Sequence, residues 1–126
     1  MGINKLCKSF QYAGSGIAHV FREEQSFRIQ LLAALLVVVL MIILPLAAIE
    51  RLILVLVIIF VLVLEIINSI FERMVDVYKP RLNPYVKDIK DMMAGAVLVA
   101  SLGAVIIGLM IFLPYLAPIW DKIISK

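Results

Sequence analysis

Three long apolar runs, roughly Ile29 to Ile49, Leu52 to Phe71 and Met92 to Trp120, decide what this chain can fold into. Each is long enough to cross about 30 Å of hydrocarbon at about 1.5 Å per residue. Within a bilayer the backbone must satisfy its own hydrogen bonds, so a span of this length is a helix. A chain of 126 residues that is 64% apolar has too little interior to hide that surface from water. The sequence therefore predicts an all-α membrane protein, one compact unit over residues 1–126, with transmembrane helices at about 29–49, 52–72 and 92–120.

Lys and Arg residues in short loops and flanks set orientation. Nine of the twelve fall on one side: Lys5, Lys8, Arg22, Arg28, Arg73, Lys79, Arg81, Lys87 and Lys90. Arg51, Lys122 and Lys126 fall on the other, which predicts a cytoplasmic N-terminus and 73–91 loop and an external C-terminus. The basic face suits anionic head groups or a phosphate ligand, and is too short to favour nucleic acid.

Before the first span, Leu6, Phe10, Ala13, Ile17, Val20 and Phe21 recur at three- and four-residue steps, with polar residues between them. This is the pattern of an amphipathic helix lying on the cytoplasmic leaflet, over about 5–26. Gly14 and Gly16 weaken its middle, which allows a bend or a close ligand contact. They resemble the start of a dinucleotide fingerprint, but no strand precedes them and His19 stands at the third glycine position. Cys7 is the only cysteine, so neither a disulfide framework nor a thiolate metal cluster is available. An apolar core begins only near residue 29, so no cleavable signal is expected.

The first span holds no ionisable group and reads as a lipid-facing wall, with Pro45 expected to kink its outer end and Glu50-Arg51 to form the whole outer connection. Pro80, Asn83 and Pro84 keep any single helix from crossing the cytoplasmic connection. The third span carries Ala96, Ala100, Ala104 and Gly108 at four-residue steps, a face suited to close packing on a helix of this chain or a neighbour.

The second span ends in EIINSIFERMVD, residues 65–76, where Glu65, Asn68, Ser69, Glu72 and Asp76 share one helix face. At about 100° per residue they lie within an arc of about 100°. A carboxylate inside a membrane helix costs about 2.5 to 3.5 kcal/mol on insertion scales, so Glu65 needs a reason. It either snorkels or pairs with a basic group, or it serves as a base for a lipid hydroxyl. Its position about 16 Å along the axis from Asp76 keeps it reachable from the cytoplasm. Glu72, near the head groups, and Glu24, at the end of the surface helix, are either solvated carboxylates or the one or two that Mg²⁺ takes alongside water and phosphate oxygens. Lys90-Asp91 opens the third span. A deep base, two hard-oxygen ligands and basic groups on one rim suit phosphoryl transfer, where positioning and charge neutralisation do most of the work.

The order E-x-x-N-[ST]-x-x-E-x-x-x-D in the second span, followed by K-D at 90–91 and preceded by EEQSFR at 23–28, resembles the small prokaryotic membrane lipid kinases, the diacylglycerol kinase and undecaprenol kinase family. The likeness covers nearly the whole chain. It implies a homotrimer of three-span protomers in the bacterial cell membrane, with ATP as co-substrate, Mg²⁺ as cofactor and sites built between neighbouring subunits. By resemblance, Glu65 is the catalytic base with Asn68 beside it, and Glu24 and Glu72 are the metal ligands. Lys5, Tyr12, Asp76, Lys90 and Asp91 match nucleotide-binding positions. Arg28 and Gln30 fall where the family lines the lipid entrance, and Ser69 and Ala94 near the lipid head group.

Two positions depart from the pattern. Lys5 stands where Arg is common, losing a bidentate phosphate fork. Ile70-Phe71 replaces Ala followed by an aliphatic residue. The stretch KDMMAGAVLV resembles the undecaprenol kinase branch, where Ala-Gly follows the K-D motif, more than the diacylglycerol branch with Gly-Ser there. The resemblance thus implies ATP-dependent phosphorylation of a membrane lipid hydroxyl, undecaprenol ahead of diacylglycerol. A small transport or channel subunit using Glu65 as an ion site is the rival from another class, and a membrane scaffold is a third possibility. The transport reading is disfavoured because the first span has no intramembrane partner for a path.

Overall fold

The structure, a computed structural model, describes residues 2–77 and 84–124. Lys79, Pro80, Arg81, Asn83 and Lys126, which entered the charge and helix-stop arguments, lie outside the described residues. Four helices follow one another among the described residues: α1 (Ile3–Glu23), α2 (Gln25–Ile43), α3 (Ala48–Val77) and α4 (Pro84–Ile124). The last three are long and apolar enough to cross a membrane. An all-α membrane architecture of one amphipathic helix and three spans is what the apolar runs predict.

The last two helices outrun the apolar runs that announced them. α4 begins at Pro84 rather than near 92 and so carries Lys90 and Asp91 inside the helix. Proline suits a first helical position because its missing N–H would have no intrahelical partner there. Hydropathy locates the bilayer crossing, whereas helix ends follow hydrogen bonding, which continues through polar turns. α1 runs unbroken through Gly14 and Gly16, and no atom approaches either closely.

Two junctions differ from expectation. The break between the surface helix and the first span falls at Glu24, which is extended (φ −102°, ψ 113°) and donates its N–H to the Val20 carbonyl at 2.9 Å. The Arg28 guanidinium, on the first turn of α2, donates from Nη1 to the Phe21 and Arg22 carbonyls at 3.1 and 2.8 Å. Those carbonyls end α1 without helical partners, so Arg28 satisfies them and fixes the corner.

The connection between the first two spans is 44–47, not Glu50-Arg51, which stand in the first turn of α3. Pro45 does not kink α2; it ends it. A proline disfavours helical geometry in the residue before it, and Leu44 is extended at ψ 144°. The Leu46 N–H then reaches the Leu44 carbonyl at 2.8 Å, a three-residue turn about Pro45. Glu50 faces back onto this turn. Its Oε2 accepts the Ala47 N–H at 2.8 Å and the Tyr115 hydroxyl at 2.7 Å, tying α3 to α4.

Beside this clasp lies the buried apolar cluster Leu44, Leu46, Leu54 and Phe112, flanked by Val37, Leu40, Met41 and Ile111. It sits at the end of the bundle away from the polar stripe. Elsewhere the spans bury little within the chain; the apolar window of α2 is only 6% buried. A Cβ added at Gly108 would meet nothing within 4 Å, so the small-residue face of α4 makes no close approach there inside the chain.

Candidate functional site

The stripe on α3 folds inward where it is deepest. Glu65 is 2% exposed, and Asn68 and Ser69 are buried with it. The helical period alone puts these three together, and the turns beyond them emerge from the interior: Glu72 is half-buried and Asp76 is exposed.

Two side chains from α2 meet the Glu65 carboxylate. Ser26 Oγ donates to Oε1. Gln30 Nε2 donates to Oε2 at 3.0 Å. Ser69 turns its hydroxyl to the Glu65 carbonyl at 3.0 Å, within its own helix. Asn68 Nδ2 points along the stripe to Glu72 Oε1 at 3.4 Å. The buried oxygens Asn68 Oδ1 and Gln30 Oε1 have no partner, so the polar pocket around Glu65 holds two acceptors in need of a donor or a cation.

Towards the C-terminal end of α3, two ion pairs join the elements. Arg73 Nη2 stands 3.6 Å from Glu24 Oε1, linking α3 to the corner between α1 and α2. Lys90 Nζ stands 3.6 Å from Asp76 Oδ1, linking α4 to α3. Both pairs are solvent-accessible and long, so they hold little energy and release readily to a phosphate or a metal.

A cleft of about 680 Å³ opens between α1 and the spans, lined mainly by Ile17, Phe21, Phe27, Leu31, Leu62 and Ile66, with Glu65 outside the lining. Leu62 and Ile66 flank Glu65 on α3, and Leu31 follows Gln30 on α2. An apolar cleft of this size suits a greasy chain.

The structure gathers most of the sequence-derived candidates along one line. Glu65, Asn68, Ser69 and Gln30 form the deep end; Glu24, Glu72, Asp76 and Lys90 form the wet end, with Asp91 exposed beside Lys90. Gln30 contacts the carboxylate itself, whereas Arg28 is engaged with the end of α1. Ala94 is exposed on α4. Lys5 and Tyr12 stay on the exposed surface of α1, Lys5 about 27 Å along the helix from Glu23. Ser26 and Arg73 were not singled out from the sequence. The polar i, i+4 spacing of Ser26 and Gln30 at the edge of an apolar helix was the available signal for the first.

Among the described residues no three His, Cys, Asp or Glu side chains converge as a metal cage. The donor set nonetheless fits a hard divalent cation that keeps water and phosphate ligands, since such an ion needs only one or two carboxylates. Glu24 and Glu72 are the two carboxylates that would serve, and the orphaned Asn68 Oδ1 lies next to Glu72.

Comparison with known proteins fits this geometry. The family model for prokaryotic diacylglycerol kinase matches residues 11–112, which takes in every candidate except Lys5. An undecaprenol kinase of Bacillus subtilis is 39% identical over 114 residues, covering 90% of this chain and 93% of that protein. A diacylglycerol kinase of Synechocystis is 36% identical over 110 residues, covering 86% of this chain and 63% of that protein. The diacylglycerol kinase of Escherichia coli K12 is 33% identical over 105 residues, covering 83% of this chain and 86% of that protein. These matches decide against the transport, channel and scaffold alternatives: the chain belongs to the prokaryotic diacylglycerol kinase family and is a membrane lipid kinase that uses ATP.

Proposed function

We propose that the chain phosphorylates undecaprenol, with Glu65 as the general base. The observation that carries the base assignment is the buried Glu65 carboxylate, held from α2 by Ser26 and Gln30, with an apolar cleft lined by its α3 neighbours Leu62 and Ile66. The Ala-Gly after the K-D motif supports the isoprenoid acceptor, as does the 39% identity to the Bacillus undecaprenol kinase against 36% and 33% to the two diacylglycerol kinases. Diacylglycerol is the alternative acceptor.

In the proposed reaction the lipid hydroxyl gives its proton to Glu65 as its oxygen bonds to the γ-phosphorus of ATP. The bond from that phosphorus to the β,γ-bridging oxygen breaks, and ADP leaves. Asn68, three residues along α3 from the base, donates to Glu72. Glu24 and Glu72 would hold Mg²⁺, which would neutralise charge on the phosphates. Lys90, Asp91 and Asp76 bind the nucleotide, with Lys5 and Tyr12 contributing from the surface helix. Arg28, Gln30, Ser69 and Ala94 border the lipid.

The working assembly in this proposal is a homotrimer in the bacterial inner membrane, its N-terminus cytoplasmic and its C-terminus external. Two features support it. Lys5 stands about 27 Å along α1 from the corner that carries Glu24, and the spans leave most of their apolar surface uncovered. ATP is cytoplasmic, and nine of twelve basic residues fall on the side of the wet end.

Purified protein in lipid, given ATP and a panel of acceptors, tests the assignment. Phosphorylation of undecaprenol above diacylglycerol is expected. Faster transfer to diacylglycerol would overturn the isoprenoid assignment, and failure of both acceptors would overturn the whole proposal.

A further inference from the structure

We infer that Ser26 is a positioning residue for Glu65, holding one oxygen of the base through a hydrogen bond from the neighbouring helix. The inference rests on the proposal that Glu65 is the base.

On its own helix the carboxylate finds nothing to orient it. Ser69 donates to the Glu65 backbone carbonyl, and the Asn68 amide donates to Glu72. Both donors to the carboxylate come from α2: Ser26 Oγ to Oε1 and Gln30 Nε2 to Oε2. Residues four apart on a helix lie one above the other on the same face. Ser26 and Gln30 therefore clamp the two oxygens from one side and fix the rotation of the carboxylate plane. Each oxygen keeps a further lone pair for an incoming hydroxyl.

Ser26 is the stiffer arm. Its hydroxyl hangs on one rotatable carbon, while Gln30 reaches Glu65 through a long chain that can follow the carboxylate if it turns. The same turn of α2 carries Arg28, bound to the last carbonyls of α1, so it registers the surface helix against the base as well. Removing the Ser26 hydroxyl leaves Glu65 buried and chemically intact but free to rotate about its terminal torsion. A base held loosely reacts more slowly without binding its substrates differently.

The test uses the purified full-length chain in lipid with ATP and whichever of undecaprenol or diacylglycerol the acceptor panel identifies, comparing Ser26→Ala, Ser26→Thr and Glu65→Gln. Ser26→Ala should lower kcat by about 10- to 100-fold while KM for both substrates stays unchanged, and Ser26→Thr, which keeps the hydroxyl, should restore most of the loss. Wild-type kcat in Ser26→Ala, a loss confined to KM, or a threonine variant no better than alanine would each overturn the role of Ser26. An inactive Glu65→Gln together with a fully active Ser26→Ala would remove Ser26 alone. Wild-type turnover in Glu65→Gln would remove the base assignment on which the inference stands.

Discussion

Lys90 on α4 and Asp76 on α3 face each other at 3.6 Å, joining the K-D motif to the last acidic residue of the polar stripe. The pair is exposed on both sides, so breaking it costs at most about 1 kcal/mol of stability. A lysine released from that carboxylate is placed to meet a phosphate. Lys90→Ala should therefore raise KM for ATP by about 10-fold or more, from the loss of a charge-assisted contact, with little change in Tm. Lys90→Arg, which keeps the charge, should retain most of the affinity. An unchanged KM for ATP in the alanine variant would take Lys90 out of nucleotide binding.

Glu65→Gln tests the base directly. The amide oxygen can still accept from Ser26, and Gln30 can turn its own amide to match the new group, so the pocket keeps its hydrogen bonds. What disappears is the ability to take a proton. Turnover should fall by at least about 100-fold, the lower range for a general base, while ATP still binds in an equilibrium assay. Equal loss of ATP binding would point to a structural role for the carboxylate.

Glu24 and Glu72 should reveal themselves through the metal requirement. Glu24→Gln and Glu72→Gln each remove one hard anionic ligand, so half-maximal activity should need several times more Mg²⁺, with KM for the lipid unchanged. In Glu24→Gln the Arg73 guanidinium also loses the carboxylate it meets at 3.6 Å, which removes an ion pair that salt screens and makes the stability of this variant the less sensitive to ionic strength. An unaltered Mg²⁺ titration in both variants would show that the metal is held elsewhere.

The deep and wet ends of the stripe were legible because they lie on one helix, where a period of 3.6 residues fixes which side chains share a face. Burial of Glu65 followed from its place in an apolar run. The partners of Glu65 were not legible in the same way. The family resemblance puts Gln30 at the lipid entrance and gives Ser26 no role, because the register between α2 and α3 depends on how the two helices pack. The turn at Leu44–Ala47 shows another limit. The Glu50-Arg51 pair drew the connection to itself by charge, whereas the stronger local rule was the effect of Pro45 on Leu44. Glu50 does belong to that turn, as the carboxylate that receives Ala47 and Tyr115.

The buried cluster at the outer end makes a prediction that separates stability from chemistry. Leu54 is 2% exposed and packs with Leu44, Leu46 and Phe112, bringing α3, the outer turn and α4 together. It lies eleven residues before Glu65 in the same helix, about 16 Å along the axis, too far to touch the base. Leu54→Ala should cost about 2 to 5 kcal/mol through lost contacts and the cavity left behind. Tyr115→Phe, which removes the hydroxyl bound to Glu50, should lower Tm by a smaller amount. Below their unfolding temperatures both variants should keep wild-type kcat and KM. A drop in kcat for Leu54→Ala at a temperature where the variant is fully folded would mean that packing at the outer end sets the geometry of the base at the other.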